Sequence, residues 1–178
     1  MVVLVTGANG QLGQALQSIA KNYPKIRFLF ADSKELDITV KDSISAFFEK
    51  VKPNFCINAA AYTAVDKAET EPELAYAINA TAPQVLAEEA AKLGARLIHF
   101  STDYVYDGSK IGAYVESDET APLGVYGKSK LAGENAIRAV GLPSLTFRTS
   151  WVYGAHGKNF LKTIIRLATE RDKLRIVA

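Results

Sequence analysis

Short apolar runs alternate along the chain with longer segments in which apolar positions return every three or four residues. The runs Val2 to Thr6, Ile26 to Ala31, Phe55 to Asn58, Leu97 to Ser101 and Leu145 to Arg148 are rich in β-branched and aromatic residues and predict strands. Their near-continuous apolarity is that of strands covered on both faces. Gln11 to Asn22, Val40 to Val51, Pro72 to Leu93 and Val125 to Val140 carry the helical period instead. Strand and helix thus follow one another as βαβα, which predicts a parallel sheet with helices on both sides, a doubly wound α/β fold of Rossmann type.

Gly94 after Leu93 and Gly141 after Val140 stand where a left-handed residue ends a helix. Tyr104 to Leu123, with Gly108, Gly112 and Pro122, reads as a surface loop beside a site rather than a linker. One domain, residues 1–178, is the expected count. Leu174 to Ala178 reads as a strand just beginning, so a substrate lobe is expected to be largely absent from this stretch, which should bind dinucleotide weakly and turn over little.

Composition narrows the class. Of 178 residues, 48% are apolar and 22% charged, enough for a full core and incompatible with a disordered or fibrous chain. The 21 basic residues against 19 acidic ones give a net charge of +2, with no basic stripe to grip a phosphate backbone, so nucleic acid is not an expected partner. No apolar run approaches the roughly 20 residues that cross a bilayer. Met1 to Gly7 lacks a basic leader and reads as a buried strand. Cys56, the one cysteine, sits in the apolar run Phe55 to Ile57 and reads as a small core residue. The cytoplasm is the expected compartment, with neither a membrane nor a metal expected.

The first strand runs straight into Thr6-Gly7-Ala8-Asn9-Gly10-Gln11-Leu12-Gly13 and then a helix. A strand, a turn of small residues and a helix start let backbone N–H groups approach a pyrophosphate, whose charge the positive helix end favours. The spacing Gly-x-x-Gly-x-x-Gly departs from the Gly-x-Gly-x-x-Gly fingerprint. Asp32 closes the second strand about 20 residues beyond the glycines, where an acid meets the adenosine ribose or caps a turn. Lys34 follows and would suit a 2′-phosphate, leaving NADH against NADPH open. Asp37 and Ile38 lie in the next turn, where Asp37 also suits a cap for the helix near Val40. Asn58-Ala59-Ala60-Ala61-Tyr62 ends the third strand with side chains small enough for a cofactor to come close.

Tyr126-Gly-Lys-Ser-Lys130 opens a helix, and its spacing puts Tyr126 and Lys130 on one face. A phenol with a pKa of about 10 is a sluggish proton shuttle at neutral pH, and a neighbouring ammonium would favour its phenolate. His99-Phe100-Ser101-Thr102-Asp103 ends another strand on the same sheet edge and offers hydroxyls to hold a carbonyl oxygen.

Glycine turn, Asn-Ala-Ala-Ala, Ser-Thr-Asp and Tyr-x-x-x-Lys, in that order, resemble the extended short-chain dehydrogenase/reductase family. The blocks Asn58 to Glu69, Ser101 to Gly108, Val125 to Glu134 and Arg148 to Tyr153 are similar, more narrowly, to the dTDP-4-dehydrorhamnose reductase family, over essentially the whole chain. Gly124 departs from it, standing where such enzymes often have asparagine.

The resemblance implies reduction of a 4-keto sugar nucleotide, dTDP-4-dehydro-β-L-rhamnose, by hydride from NADPH or NADH, with a homodimer as a candidate assembly. It implies Tyr126 as the acid, Lys130 as the anchor of the nicotinamide ribose, and Thr102 as the holder of the substrate oxygen. Asp103 and Trp151 would face the sugar nucleotide. Gly7, Gly10, Gln11, Leu12, Gly13, Asp32, Asp37, Ile38, Ala59, Ala60, Ala61, Tyr62 and Thr63 would border the cofactor. Two rivals stand beside this reading: a sugar-nucleotide 4-epimerase or dehydratase using the same Tyr-Lys pair, and a non-catalytic nucleotide-binding regulatory subunit of the same fold.

Overall fold

A computed structural model describes residues 1–171, 173 and 174. Five strands form one parallel sheet: β1 (Val2–Thr6), β2 (Arg27–Ala31), β3 (Phe55–Asn58), β4 (Arg96–Thr102) and β5 (Ser144–Thr149), in the order β2-β1-β3-β4-β5. All five stand where the apolar runs predict them, to within one residue at most ends. The strand expected to begin at Leu174 lies, past Leu174 itself, outside the described residues.

The helices are α1 (Gln11–Ala20), α2 (Lys41–Val51), α3 (Val65–Ala68), α4 (Pro72–Tyr76), α5 (Ala82–Lys92), α6 (Val125–Val140) and α7 (Phe160–Glu170). Leu4, Ile44, Phe48, Leu86, Leu97 and Ile137 are fully buried in the core between the sheet and α2, α5 and α6. Gly94 and Gly141 end α5 and α6 with φ of 63° and 75°, as their places in the sequence predict. Among the described residues, no helix is long and apolar enough to cross a membrane.

The segment Pro72 to Leu93 differs from the single helix that its periodicity predicts. A π turn, Ala77–Thr81, separates α4 from α5. Its cause is Pro83, which has no N–H to donate and whose ring collides with the carbonyl four residues back, that of Asn79. The bulge turns that carbonyl toward α6, where any side chain at position 133 would strike it, and Gly133 lets the two helices close up.

The strand order reverses between β1 and β3, which leave their carboxyl ends on either side of a crevice, the place where open α/β sheets bind ligands. β1 is paired with β3 through Thr6 and Asn58 and β3 with β4 through Asn58 and His99, so β1 and β3 end level while β4 runs three residues further, to Thr102, alongside β5. The expected phosphate turn and the alanine run follow β1 and β3 directly, and Ser101 and Thr102 are the last two residues of β4, with Asp103 just beyond it.

Candidate active site

Gly7, at φ 68°, makes the turn out of β1, and a Cβ there would come within 2.6 Å of Ala60 N and 2.7 Å of the Ala59 carbonyl carbon. The turn and the alanine run therefore touch backbone to backbone, which a residue larger than glycine forbids. Gly10 precedes α1 with no side-chain cap, leaving the first N–H groups of the helix for an anion. Gly13 is buried and packs against Gly7 and Ala8, so it serves the turn rather than facing a ligand.

A cavity of about 340 Å³ opens beside this turn, lined by Gly7, Gly10, Asp32, Asp37, Ile38 and Ala59 to Ala61 among others. Asp32 accepts hydrogen bonds from Lys34 N (2.9 Å) and Glu35 N (3.1 Å) on one oxygen and from Asn9 Nδ2 (2.8 Å) on the other. The backbone donors of Lys34 and Glu35, with Asn9 adding to them, hold its carboxyl below the usual range, against a smaller opposing effect of burial. Asp32 is thus both a turn cap and a wall of the cavity. Asp37 likewise caps its own turn through Thr39 N (2.9 Å) and Thr39 Oγ1 (2.6 Å), and Thr39 lowers its pKa.

Tyr62 and Thr63 are not among the residues lining this cavity. Tyr62 is buried in a small second cluster with Ala68 and Ala75, and its phenol donates to Glu71 Oε2 at 2.8 Å. Thr63 is exposed and, like Gln11 and Leu12, is not on the wall of that cavity. Cys56 is fully buried, and burial pushes its thiol up to about 12, which leaves it an inert core residue.

Tyr126 and Lys130 lie one turn apart on α6, as their spacing predicts. Tyr126 stands edge-on to Tyr104, with ring centroids 5.6 Å apart, and lines a second cavity of about 390 Å³ with Asp103, Glu69 and Gly124. Burial raises its pKa, the neighbouring Thr102 hydroxyl pulls it down, and Asp103 and Tyr104 raise it further. The balance favours the protonated phenol, the state in which it can act as an acid. Lys130 is 1% exposed, donates from Nζ to Phe100 O at 2.5 Å, and is lowered to about 8 by burial despite Glu134. Its charge turns toward the Phe100 carbonyl, inside β4.

Thr102 is buried, and its hydroxyl donates to Asp103 Oδ1 at 3.0 Å and accepts from Tyr104 N at 3.2 Å. Asp103 Oδ2 accepts from Ser150 Oγ at 2.7 Å, tying the end of β4 to the end of β5. Ser150 carries no motif that would single it out in the sequence. Trp151 is 63% exposed and takes a left-handed φ of 52°. Its ring stands edge-on to Phe160 and alongside Tyr153.

The segment after Trp151 is also placed without a sequence motif. Gln11 Nε2 donates to Val152 O at 2.9 Å, and Gln11 Oε1 accepts from Asn159 Nδ2 at 2.8 Å. Gly157, at φ 66°, brings this backbone against the start of α1. The phosphate turn and the Trp151 segment are thereby one piece. The signal that would have found α7 was present: Asn159 caps it through Lys162 N, and apolar residues follow at helical spacing.

A glycine turn at the β1/β3 crevice, with a buried Thr102, Tyr126 and Lys130 on the same sheet edge, defines a Rossmann-type domain of the short-chain dehydrogenase/reductase class. The family profile described as RmlD substrate binding domain matches residues 1–178. The chain is 47% identical over 176 residues to a dTDP-4-dehydrorhamnose reductase of Aggregatibacter actinomycetemcomitans, covering 99% of this chain and 60% of that one. It is 42% identical to the one of Escherichia coli K12, again covering 99% of this chain and 60% of that one.

Among solved structures, a dTDP-4-dehydrorhamnose reductase of Clostridium acetobutylicum superposes with a TM-score of 0.96 at 45% identity, covering 99% of this chain and 62% of the other. One from Bacillus anthracis, in complex with NADP, gives 0.92 at 41% identity, covering 97% and 61%. The chain belongs to the dTDP-4-dehydrorhamnose reductase (RmlD) family. It spans about 60% of the length of these relatives.

Proposed function

We propose that the protein reduces the 4-keto group of dTDP-4-dehydro-β-L-rhamnose to give dTDP-L-rhamnose, with NADPH or NADH as the hydride source, in the cytoplasm. Residues 1–178 would be its dinucleotide-binding domain, the substrate lobe lying largely outside them. The observation that carries the reading is the grouping of Thr102, Tyr126 and Lys130: a phenol beside a buried hydroxyl, with a buried lysine one turn along the same helix.

The cradle at the crevice fits a dinucleotide. Gly7 lets the turn close against the backbone of Ala59 and Ala60, the start of α1 has uncapped N–H donors, and the cavity beyond it runs between Asp32, Asp37, Ile38 and Ala59 to Ala61. Those residues would hold pyrophosphate and adenosine, with Lys130 reaching the nicotinamide ribose. The relative crystallised with NADP supports a phosphorylated cofactor, while a carboxylate at Asp32 suits an unmodified ribose, so both nicotinamides belong in the test. The cofactor supplies the hydride, and this chain's residues orient and polarise the carbonyl.

Thr102 would hold the carbonyl oxygen and Tyr126 would deliver its proton. Asp103, fixed by Ser150, and Trp151 would meet the sugar nucleotide. The test is to incubate the full-length protein with dTDP-4-dehydrorhamnose and each nicotinamide in turn while following the absorbance of the reduced cofactor. Loss of absorbance that depends on the sugar nucleotide is expected. Sugar conversion with no added nicotinamide would instead point to an epimerase, and no conversion at all to a binding subunit.

A further inference from the structure

Helix α6 begins without a cap of its own. Gly124 has the extended N-cap backbone, φ −100° and ψ 170°, and its carbonyl already accepts from Lys128 N at 3.0 Å, but it has no side chain to satisfy the first N–H groups. The missing acceptor comes from another element. Glu69, the residue that follows α3, reaches across and accepts from Val125 N at 2.7 Å.

The two positions share one space. A Cβ at position 124 would lie 2.8 Å from Glu69 Oε1, so the carboxylate occupies the space that an ordinary N-cap side chain would fill. A negative group at this end of a 16-residue helix is favoured by the helix dipole as well. The donor it engages belongs to Val125, the neighbour of Tyr126, and Glu69 lines the same cavity as Tyr126 and Asp103.

We propose that Glu69 is a positioning residue for Tyr126: its carboxylate stands in for the N-cap that Gly124 lacks and fixes the first turn of α6, and with it the phenol, against the substrate cavity. A positioned proton donor must lie within hydrogen-bond reach of the oxygen it serves, so fraying of this one turn would cost turnover while the cofactor cradle, built on β1 and β3, is left intact. The kinetic part of this inference rests on the reductase reading above; the structural part does not.

The experiment compares wild type, Glu69→Ala, Glu69→Gln and the pair Glu69→Ala with Gly124→Ser in the full-length protein. Glu69→Ala should lower kcat about tenfold, because a small misplacement of the proton donor costs turnover steeply, with KM for the nicotinamide within about twofold. Glu69→Gln keeps an acceptor oxygen and should retain most of the activity. Gly124→Ser in the alanine background restores a cap in the vacated space and should recover kcat, a rescue that a general loss of folding would not show. Amide hydrogen exchange supplies the arm independent of activity: Val125 should exchange faster in Glu69→Ala and return in the double variant. Unchanged exchange at Val125, or a kcat for Glu69→Ala equal to that of an active wild type, would overturn the inference. A wild type that reduces nothing would count against the reductase reading alone, and exchange would still decide the role of Glu69.

Discussion

The side chain of Asn79 grips both backbone groups of Tyr62: Oδ1 accepts from Tyr62 N at 2.9 Å and Nδ2 donates to Tyr62 O at 3.0 Å. Nδ2 also donates to Ser129 Oγ at 3.1 Å, so one buried amide in the π turn holds the loop after the alanine run to the helix that carries Tyr126 and Lys130. Asn79→Ala should leave two buried backbone groups of Tyr62 unpaired and destabilise the fold by about 2–4 kcal/mol. Urea unfolding measures this, and a change of less than about 1 kcal/mol would mean that water replaces the amide.

Tyr126→Phe removes the proton donor and leaves the ring against Tyr104. Reduction should fall by about 100-fold or more, with dinucleotide affinity by calorimetry close to that of wild type. Turnover within about tenfold of wild type would show that another group delivers the proton.

Lys130 is buried and lowered from 10.5 to about 8, so below pH 8 the fold carries a buried charge that the unfolded chain keeps in water. Between pH 8 and 10.5 the unfolded lysine binds more protons than the folded one, and stability contributed by this site rises with pH by about 3 kcal/mol. Lys130→Met should therefore be more stable relative to wild type at pH 7 than at pH 10.5. Parallel unfolding curves at the two pH values with an unchanged difference would contradict the burial of an ionisable group here.

His99 accepts from Asn58 Nδ2 at 3.1 Å when Asn58 Oδ1 accepts from Thr6 Oγ1, and burial, with Lys130 assisting, lowers it to about 3. It is neutral in the fold and protonated in the unfolded chain below its ordinary value of 6.5, so its contribution to stability declines as pH falls from 6.5 toward 3. His99→Gln should lose less stability than wild type between pH 6.5 and 4.5, by about 2–3 kcal/mol. Equal acid sensitivity in the two proteins, followed by circular dichroism, would rule this out.

Periodicity by itself determined the five strands, the parallel sheet and four helical segments, one of which the structure divides, because strands buried on both faces must be apolar throughout and helices covering them must be apolar on one side. The glycine turn, Asp32, Thr102, Tyr126 and Lys130 were legible because each is a special residue type at the end of a predicted element. Other features depend on contacts between residues far apart in the chain, which no local pattern records. The π turn at Asn79 is set by Pro83 and by the approach of Gly133, and the cap of α6 comes from Glu69, 56 residues before Val125. Gln11 joins the phosphate turn to Asn159 across 148 residues. The direction of the pKa shifts is set in the same way: burial of both side chains raises the Tyr126 phenol and lowers the Lys130 amine, since a charged form loses water that only folding removes.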